Sequence, residues 1–465
     1  APSHIEAAYH PICATTGELL AAVLTHCPER RSPPPCPTTS ALSVPSQPTR
    51  TNLHALRNAA RKETRALAEE RAKHPFDDIE TAPLDYLPKA WSEPYGTLQD
   101  TVYEAYDLQA IRIDGAAEHP TALVQSTAMA SVPPPVPTYR PILPKNLVQD
   151  GLLSAPQLES VIYAGNAHET HLKGWFKRGE IEGQLMAAAE GDEGAFRLRK
   201  GWFLGDGTGC GKGRQVAGII LDNWLKGRRR AVWVSKSDKL IEDARRDWIA
   251  LGGRESDIVP LSKFRQGSDI RLPEGILFVT YATLRSAERE GKASRLDQVT
   301  SWLSDGFDGV IAFDESHAMA NAAGEKSDRG DKKASQQGLA GLALQNAAPD
   351  ARVLYVSATG ATVVGNLAYA SRLGLWGTGD FPFVTRAEFV AAMEAGGIAA
   401  MEMISRDLKA LGLYLARSLS YAGVEYEILE HCLTEAQISI YDAYAEAWAI
   451  IHRNLDDALE ATRVV

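Results

Sequence analysis

The sequence is poor in cysteine, has no long apolar run and carries no excess of positive charge. Its 5 cysteines are odd in number and lack metal-ligand spacing: Cys13, Cys27, Cys36, Cys210 and Cys432. This usage excludes a disulfide framework and a zinc finger, and it favours a reduced, cytoplasmic setting. Apolar runs such as the one near Val353 span only a few residues, so no membrane partner is predicted. The net charge of −10 excludes a histone-like coat on nucleic acid but is compatible with a local basic cleft.

The composition is that of a soluble globular protein. Hydrophobic residues make up 45% of the 465 residues and charged residues 23%, and the length predicts two or three folded units. The first residues, APSHIEAAYHP, lack a basic stretch that leads into an apolar one, so we expect no signal peptide.

Composition and periodicity divide the chain into four parts. Residues 1–50 predict an N-terminal segment followed by a linker rich in Pro and Ser, and residues 51–145 a helical and extended, Pro-rich extension. Within that extension, strong helix formers predict a mostly solvated helix over 51–74. Residues 146–420 have the pattern of an α/β domain. Residues 421–465 predict a strand over 424–431 and then a long amphipathic helix.

Five apolar, β-branched runs recur at intervals of about 30 to 45 residues, which leaves room for a crossover helix between them. These runs are 201–205, 231–235, 276–281, 309–315 and 352–358. The alternation predicts a mainly parallel sheet flanked by helices, and such sheets bind ligands at the carboxyl ends of their strands.

The first chemical motif is GDGTGCGKGRQ, at 205–215, between a predicted strand and a predicted helix. Its glycines let backbone N–H groups turn towards phosphate oxygens, and Lys212 can reach the β- and γ-phosphates. The candidate phosphate-binding residues are Gly207, Thr208, Gly209, Cys210, Gly211, Lys212, Gly213 and Arg214. The motif departs from a standard P-loop, because Asp206 replaces the first glycine and Gly213 replaces the Ser or Thr. A glycine-rich turn with a fortuitous lysine is the alternative.

The second and third motifs follow later strands. In FDESH, at 313–317, Asp314 can hold Mg²⁺ through water and Glu315 can act as general base. In YVSATG, at 355–360, the hydroxyls of Ser357 and Thr359 could hydrogen-bond His317 or Glu315. Taken singly, both motifs also fit strand-to-helix turns with capping side chains.

Together the three motifs resemble those of superfamily 2 helicases with a DExH-type second motif, and more closely those of the strawberry notch family. The P-loop with its glycine after the lysine carries this resemblance, together with VSKSDKLIEDARRDW (234–248) and LSAPQLESVIYA (153–164). It covers residues 120–465 and implies a RecA-like P-loop domain that binds ATP and Mg²⁺, hydrolyses ATP and acts on nucleic acid, DNA in preference to RNA.

The resemblance also implies roles for individual residues. Gln157 would read the adenine edge, while Ser235, Lys236, Lys239, Thr280 and Tyr281 would contact nucleic acid. Glu315, Lys212 and His317 would be the catalytic residues. Ser357, Ala358 and Thr359, together with His317, would couple the nucleotide to the bound strand. By contrast, the basic run 226–230 precedes its strand and predicts a solvated turn or an accessory phosphate contact.

The resemblance implies a partner as well. Superfamily 2 enzymes complete their ATP site with arginines from a second RecA-like domain, and the residues after Ser420 are too few to form one. We therefore expect a second domain in the same longer polypeptide, with residues 421–465 as the start of the connection to it. We also expect weak activity of this chain alone and a bacterial-type cytoplasmic, nucleoid-associated localisation. Two alternatives are a nucleotide-gated scaffold that works through partners and a P-loop enzyme of small molecules.

Overall fold

The computed structural model describes residues 73–92, 102–179, 185–286, 293–320, 322, 335–358, 367–377, 380–425 and 427–462. The linker and nearly all of the helix predicted over 51–74 lie outside these residues. The chain divides into two units between Ala72 and Lys73, and every described residue belongs to the second unit.

Short antiparallel strands and short helices precede the main sheet. The strands are β1 (Thr81–Pro83), β2 (Leu87–Pro88), β3 (Tyr103–Ala105), β4 (Ile111–Arg112), β5 (Leu123–Ser126), β6 (Ile142–Pro144), β7 (Trp175–Arg178) and β8 (Leu185–Ala188). The helices are α1 (Thr127–Ala130), α2 (Lys145–Gln149) and α3 (Ala155–His168). Buried residues of this region, including Phe76, Leu84 and Tyr86, share one apolar core with the main sheet. The sequence did not predict this shared core.

A seven-stranded sheet organises the rest of the described chain. Its strands are β9 (Trp202–Leu204), β10 (Arg230–Ser235), β11 (Ile258–Pro260), β12 (Gly275–Thr280), β13 (Val310–Asp314), β14 (Arg352–Val356) and β15 (Tyr414–Leu415). Their spatial order is β11-β12-β10-β13-β14-β9-β15, and neighbouring strands pair in parallel. All five predicted strands are therefore confirmed, and the α/β class with them. The sequence missed β11 and β15, which are only three and two residues long.

Helices cover both faces of the sheet, as parallel strands require. They are α4 (Lys212–Leu225), α5 (Ile241–Ile249), α6 (Tyr281–Leu284), α7 (Arg295–Leu303), α8 (Gln336–Ala347) and α9 (Arg386–Ala410), the last kinked at Gly397. In α4 the apolar residues Val216, Ile219 and Ile220 are buried. Each such side chain contributes about 1.5–3 kcal/mol of burial free energy, so α4 is held by packing and not by helix propensity alone.

After the sheet, a two-residue strand, β16 (Ser418–Leu419), pairs with β5. The strand predicted over 424–431 is wrong, because the described residues of that segment form none and Ile428 and Leu429 are highly exposed. An alternating pattern becomes a strand only when a neighbouring edge supplies hydrogen bonds. The long helix is confirmed as α10 (Glu435–Thr462), with Thr434 and Gln437 capping each other at its start. Among the described helices, none combines the length and apolar character needed to cross a bilayer.

Candidate nucleotide-binding site

A glycine-rich loop joins the end of β9 to the start of α4. Gly209 and Gly211 have φ angles of 90° and 75°, a region that disfavours side chains. A Cβ on Gly209 would lie 2.5 Å from Leu419, and one on Gly211 would lie 2.3 Å from the side-chain amide of Gln157. Glycine is therefore favoured at both positions for two reasons, the positive φ angle and the lack of space for a side chain.

The Lys212 side chain lies across the loop, whereas the Cys210 side chain is buried beneath it. The Lys212 ammonium donates to the carbonyl oxygen of Gly207 at 3.1 Å, so its side chain lies across the loop, where phosphates bind in other P-loops. Thr208 and Gly209 are exposed at the loop surface. The Cys210 side chain is buried and its Sγ lies 3.5 Å from the carbonyl oxygen of Arg417. Cys210 can thus offer a ligand only its backbone.

Asp206, which stands where a standard P-loop has its first glycine, anchors the loop through hydrogen bonds. Asp206 Oδ1 accepts hydrogen bonds from Arg417 N and Nε, both at 3.0 Å, and Oδ2 accepts from Arg417 Nη2 at 2.8 Å. Gln215 Nε2 also donates to Asp206 Oδ2 at 2.9 Å. Burial alone would lower the pKa of Arg417, but Asp206 and then other acidic neighbours hold it above its ordinary value. The substitution of Asp206 for glycine is therefore matched by a buried ion pair.

The acidic pair lies at the end of β13, two strands away from the loop. Asp314 Oδ2 accepts a hydrogen bond from Ser235 Oγ at 3.1 Å, and Oδ1 accepts one from the backbone N–H of Glu315 at 3.0 Å. Burial first, and then the neighbouring Glu315, raise the pKa of Asp314 to about 6. A bound cation would remove this penalty on the ionised form.

Glu315, His317 and Ser357 form the link between the second and third motifs. Glu315 has a φ of 49°, unusual for a residue with a side chain and typical of strain at a functional site. His317 Nδ1 lies 3.2 Å from Glu315 Oε2 and 3.1 Å from Ser357 Oγ. In the parallel register of β13 and β14, Asp314 lies opposite Val356. The residues that follow each of them, His317 and Ser357 included, therefore meet at the same end of the sheet. Ala358 follows directly, whereas Thr359 lies outside the described residues.

This donor set fits a magnesium nucleotide. Backbone groups of a glycine loop and one ammonium suit phosphate oxygens, and a half-buried carboxylate with a raised pKa suits a divalent cation or its water shell. Lys212 would face the phosphates and Asp314 the Mg²⁺ that accompanies them. When bound, that ion neutralises charge on the phosphates.

Comparison with known proteins decides the family. The family described as P-loop containing NTP hydrolase pore-1 matches residues 118–443, well over half of the 465 residues. The chain belongs to this family. Strawberry notch proteins are its relatives, which confirms the resemblance expected from the sequence.

Three of these relatives show the extent of the match. Strawberry notch homolog 1 of Rattus norvegicus is 37% identical over 75% of this chain and 26% of that protein. Strawberry notch homolog 2 of Mus musculus is 41% identical over 71% of this chain and 22% of that protein. Strawberry notch of Drosophila melanogaster is 37% identical over 77% of this chain and 21% of that protein. The chain thus spans about a quarter or less of their length.

One solved structure is similar over a smaller part. The Sulfolobus solfataricus SWI2/SNF2 ATPase core in complex with dsDNA matches 47% of this chain and 40% of that chain, at 15% identity and a TM-score of 0.32.

Three residues predicted to contact nucleic acid have side chains that this fold buries. Ser235, Thr280 and Tyr281 are buried, and their hydroxyls are already engaged. Ser235 donates to Asp314, Thr280 caps α6, and Tyr281 donates to the carbonyl oxygen of Asp314 at 2.8 Å. Ser235 and Tyr281 therefore support Asp314, whereas Thr280 stabilises the start of α6. Lys236, the residue after Ser235, and Lys239 are exposed.

Gln157 lies against the glycine loop of the P-loop motif. Its Oε1 accepts from the backbone N–H of Ser154 at 3.0 Å, and its Nε2 donates to the carbonyl oxygen of Cys210 at 3.4 Å. Both ends of the amide are thus occupied by the chain. The role of Gln157 towards adenine stays a prediction.

Sequence reasoning missed two residues of the strawberry notch-type site. Arg417 comes 211 residues after Asp206, and its short flanking strands gave no periodic signal. Asp247 lies on α5, and its carboxylate Oδ1 accepts from Arg214 Nε at 3.3 Å. The departures of Asp206 and Gly213 from the standard P-loop sequence were signals that could have indicated them. A charged or missing side chain at a motif position suggests that a residue elsewhere compensates for it.

Proposed function

We propose that this chain is the ATP-binding and ATP-hydrolysing motor module of a strawberry notch-type, helicase-like protein that acts on nucleic acid, DNA in preference to RNA. The observation that carries the proposal is the placement of a glycine loop with Lys212 and an acidic pair, Asp314 and Glu315, at the same edge of one parallel sheet. Nucleoside-triphosphate hydrolysis needs this combination of phosphate cradle, metal ligand and base.

Each residue then has one task. Lys212 and the backbone N–H groups of the loop bind the phosphates, and Asp314 orients Mg²⁺ through its water shell. Glu315 lies beside Asp314 and would take the proton of the attacking water. His317 contacts Glu315 and Ser357 at once, so a shift of the third motif can reach the base through a single imidazole.

The nucleic acid would lie along the carboxyl edge, on Lys236 and Lys239. Both are exposed and have no ion pair within the described part of the chain. At the opposite edge Arg228 pairs with Asp308 at 2.9 Å and Arg229 with Glu274 at 3.3 Å. Those arginines already form ion pairs within the protein, so the exposed lysines are the better candidates for phosphate contacts. A second RecA-like domain of the same polypeptide would close the cleft.

A nucleotide-gated scaffold is the second candidate, and Gly213 is the observation that favours it. Without a hydroxyl at this position the loop lacks a standard magnesium ligand, and binding without useful turnover would follow.

Nucleotide binding and turnover by two variants test the proposal. Lys212→Ala should weaken binding of a fluorescent ATP analogue at least about ten-fold, which is 1.4 kcal/mol. Glu315→Gln should bind like the wild type but hydrolyse slowly, since it lacks the base and keeps the cradle. Lys263→Ala, an exposed lysine outside the site, is the matched control. Equal loss of binding in Lys212→Ala and Glu315→Gln would refute the assigned roles, and wild-type binding without turnover would favour the scaffold.

A further inference from the structure

The glycine that replaces the P-loop hydroxyl lies directly against a carboxylate. A Cβ placed on Gly213 would lie 2.2 Å from Oδ2 of Asp247, with the carboxyl carbon at 3.3 Å. No contact between real side chains is that short. Serine or threonine at 213 and the present position of Asp247 therefore exclude each other, and Asp247 holds the space that the side chain would fill.

Asp247 reaches this place from α5, the helix that packs beside α4. Its side chain is only 15% exposed and contacts Arg214 Nε at 3.3 Å through Oδ1. Arg214 is itself directed elsewhere by a second hydrogen bond, from Nη1 to the carbonyl oxygen of Leu152 at 3.2 Å. Oδ2, the oxygen that faces Gly213, lies 4.0 Å from Arg246 Nη2, beyond hydrogen-bond distance.

Burial raises the pKa of the Asp247 carboxyl above its ordinary value, and the neighbouring Arg214 and Arg246 only partly cancel that effect. The ionised form is thus short of compensating charge. A divalent cation at the mouth of the loop would supply it.

We propose that the Asp247 carboxylate takes over the task of the missing P-loop hydroxyl, as an oxygen ligand of the nucleotide's Mg²⁺ or of its water shell. The inference rests on the proposed function. Mg²⁺ is a hard cation that keeps several waters and is held by one or two carboxylates together with phosphates. With Asp314 this chain then offers two carboxylates, where a standard P-loop offers one carboxylate and one hydroxyl.

A magnesium titration of nucleotide binding separates this role from a merely structural salt bridge. Binding of a fluorescent ATP analogue is measured with EDTA and with increasing Mg²⁺, for the wild type, Asp247→Asn and the control Asp243→Asn. Asp243 is exposed on the same helix and pairs with Arg246 at 2.7 Å. Asp247→Asn should raise the half-saturating Mg²⁺ concentration about ten-fold, at the lower end of the 10–100-fold effects of such supporting residues. Binding in EDTA should change less than about two-fold, and Asp243→Asn should match the wild type.

A rescue experiment guards against simple misfolding. Gly213→Ser alone should bind poorly, because its Cβ meets Asp247. Gly213→Ser combined with Asp247→Ala frees the space, restores a standard P-loop hydroxyl and should recover a Mg²⁺ requirement within a few-fold of the wild type. A double variant no better than Asp247→Ala would overturn the inference.

The outcomes also distinguish the two proposals. A wild type that binds no nucleotide means that the proposed function is wrong, and the role of Asp247 with it. Two results would overturn the role of Asp247 alone. In the first, the wild type depends on Mg²⁺ and Asp247→Asn shows the same dependence. In the second, Asp247→Asn loses nucleotide binding equally with and without Mg²⁺.

Discussion

Arg417 binds both carboxylate oxygens of Asp206, with Nε 3.0 Å from Oδ1 and Nη2 2.8 Å from Oδ2, and both side chains are buried. The same guanidinium donates to Ser160 Oγ at 2.7 Å and Gln215 Oε1 at 3.0 Å. One arginine thus connects the base of the P-loop to α3 and α4. The planar fork of arginine suits this arrangement better than the single ammonium of lysine.

We predict that Arg417→Met lowers the free energy of unfolding by about 3–5 kcal/mol, because it leaves the buried Asp206 without its counter-charge. Adding Asp206→Asn should recover at least about 1 kcal/mol by removing that charge. Urea unfolding of the three proteins measures both effects. Arg246→Met, on the exposed face of α5, is the control. A decrease below about 1 kcal/mol in Arg417→Met would show that the pair is dispensable.

Asp314→Asn should stabilise the nucleotide-free protein near pH 7.5, by about 1–3 kcal/mol at 1.36 kcal/mol per pKa unit. The structure raises the pKa of Asp314 from 3.8 to about 6. Stability is therefore lost as the pH rises from 3.8 through about 6, and the amide avoids that loss. The gain should shrink as the pH falls towards 4.

Urea unfolding at several pH values tests this, with the exposed Asp305→Asn as control. A gain that does not change with pH would contradict the assigned pKa. The same substitution should raise the Mg²⁺ concentration needed for nucleotide binding, because it removes one of the two proposed carboxylate ligands.

Replacing Lys236 and Lys239 with Ala should weaken binding of single-stranded DNA uniformly across sequences. It should also flatten the plot of log affinity against log salt by about 0.7 for each phosphate that the variant no longer neutralises. Fluorescence anisotropy from low to physiological salt measures both. The Arg228→Ala, Arg229→Ala variant should bind like the wild type; if it alone loses affinity, the strand lies at the other edge of the sheet.

The 465-residue chain should hydrolyse ATP slowly by itself. In superfamily 2 enzymes the second RecA-like domain supplies arginines, and an arginine finger is worth about 10³–10⁵ in rate. Single-turnover and steady-state phosphate release, with and without DNA, measure this. A DNA-stimulated turnover of several per second would mean that the site is complete without a second domain.

The sequence predicted the features that depend on local pattern. The five apolar strands, the glycine loop and the contact of His317 with Ser357 are in place, because strand order brings their carboxyl ends together. It did not predict the burial of Tyr281, because a strand-end aromatic looks the same in sequence whether or not a helix covers it. Arg417 and Asp247 were missed because their partners are distant in the chain. The strand expected over 424–431 is wrong for the opposite reason. Its local sequence is typical of a strand, but among the described residues no neighbouring strand pairs with it.

The strand that leads into the P-loop, β9, has both of its neighbours later in the chain. It pairs with β14 on one side and β15 on the other. During synthesis at about 5–20 residues per second, Trp202, Phe203 and Leu204 therefore wait many seconds for the strands that cover them. Until Arg417 has left the ribosome, Asp206 also lacks its counter-charge. The glycine loop after β9 is therefore translated before β14, β15 and Arg417, and its contacts are complete only after all three have followed.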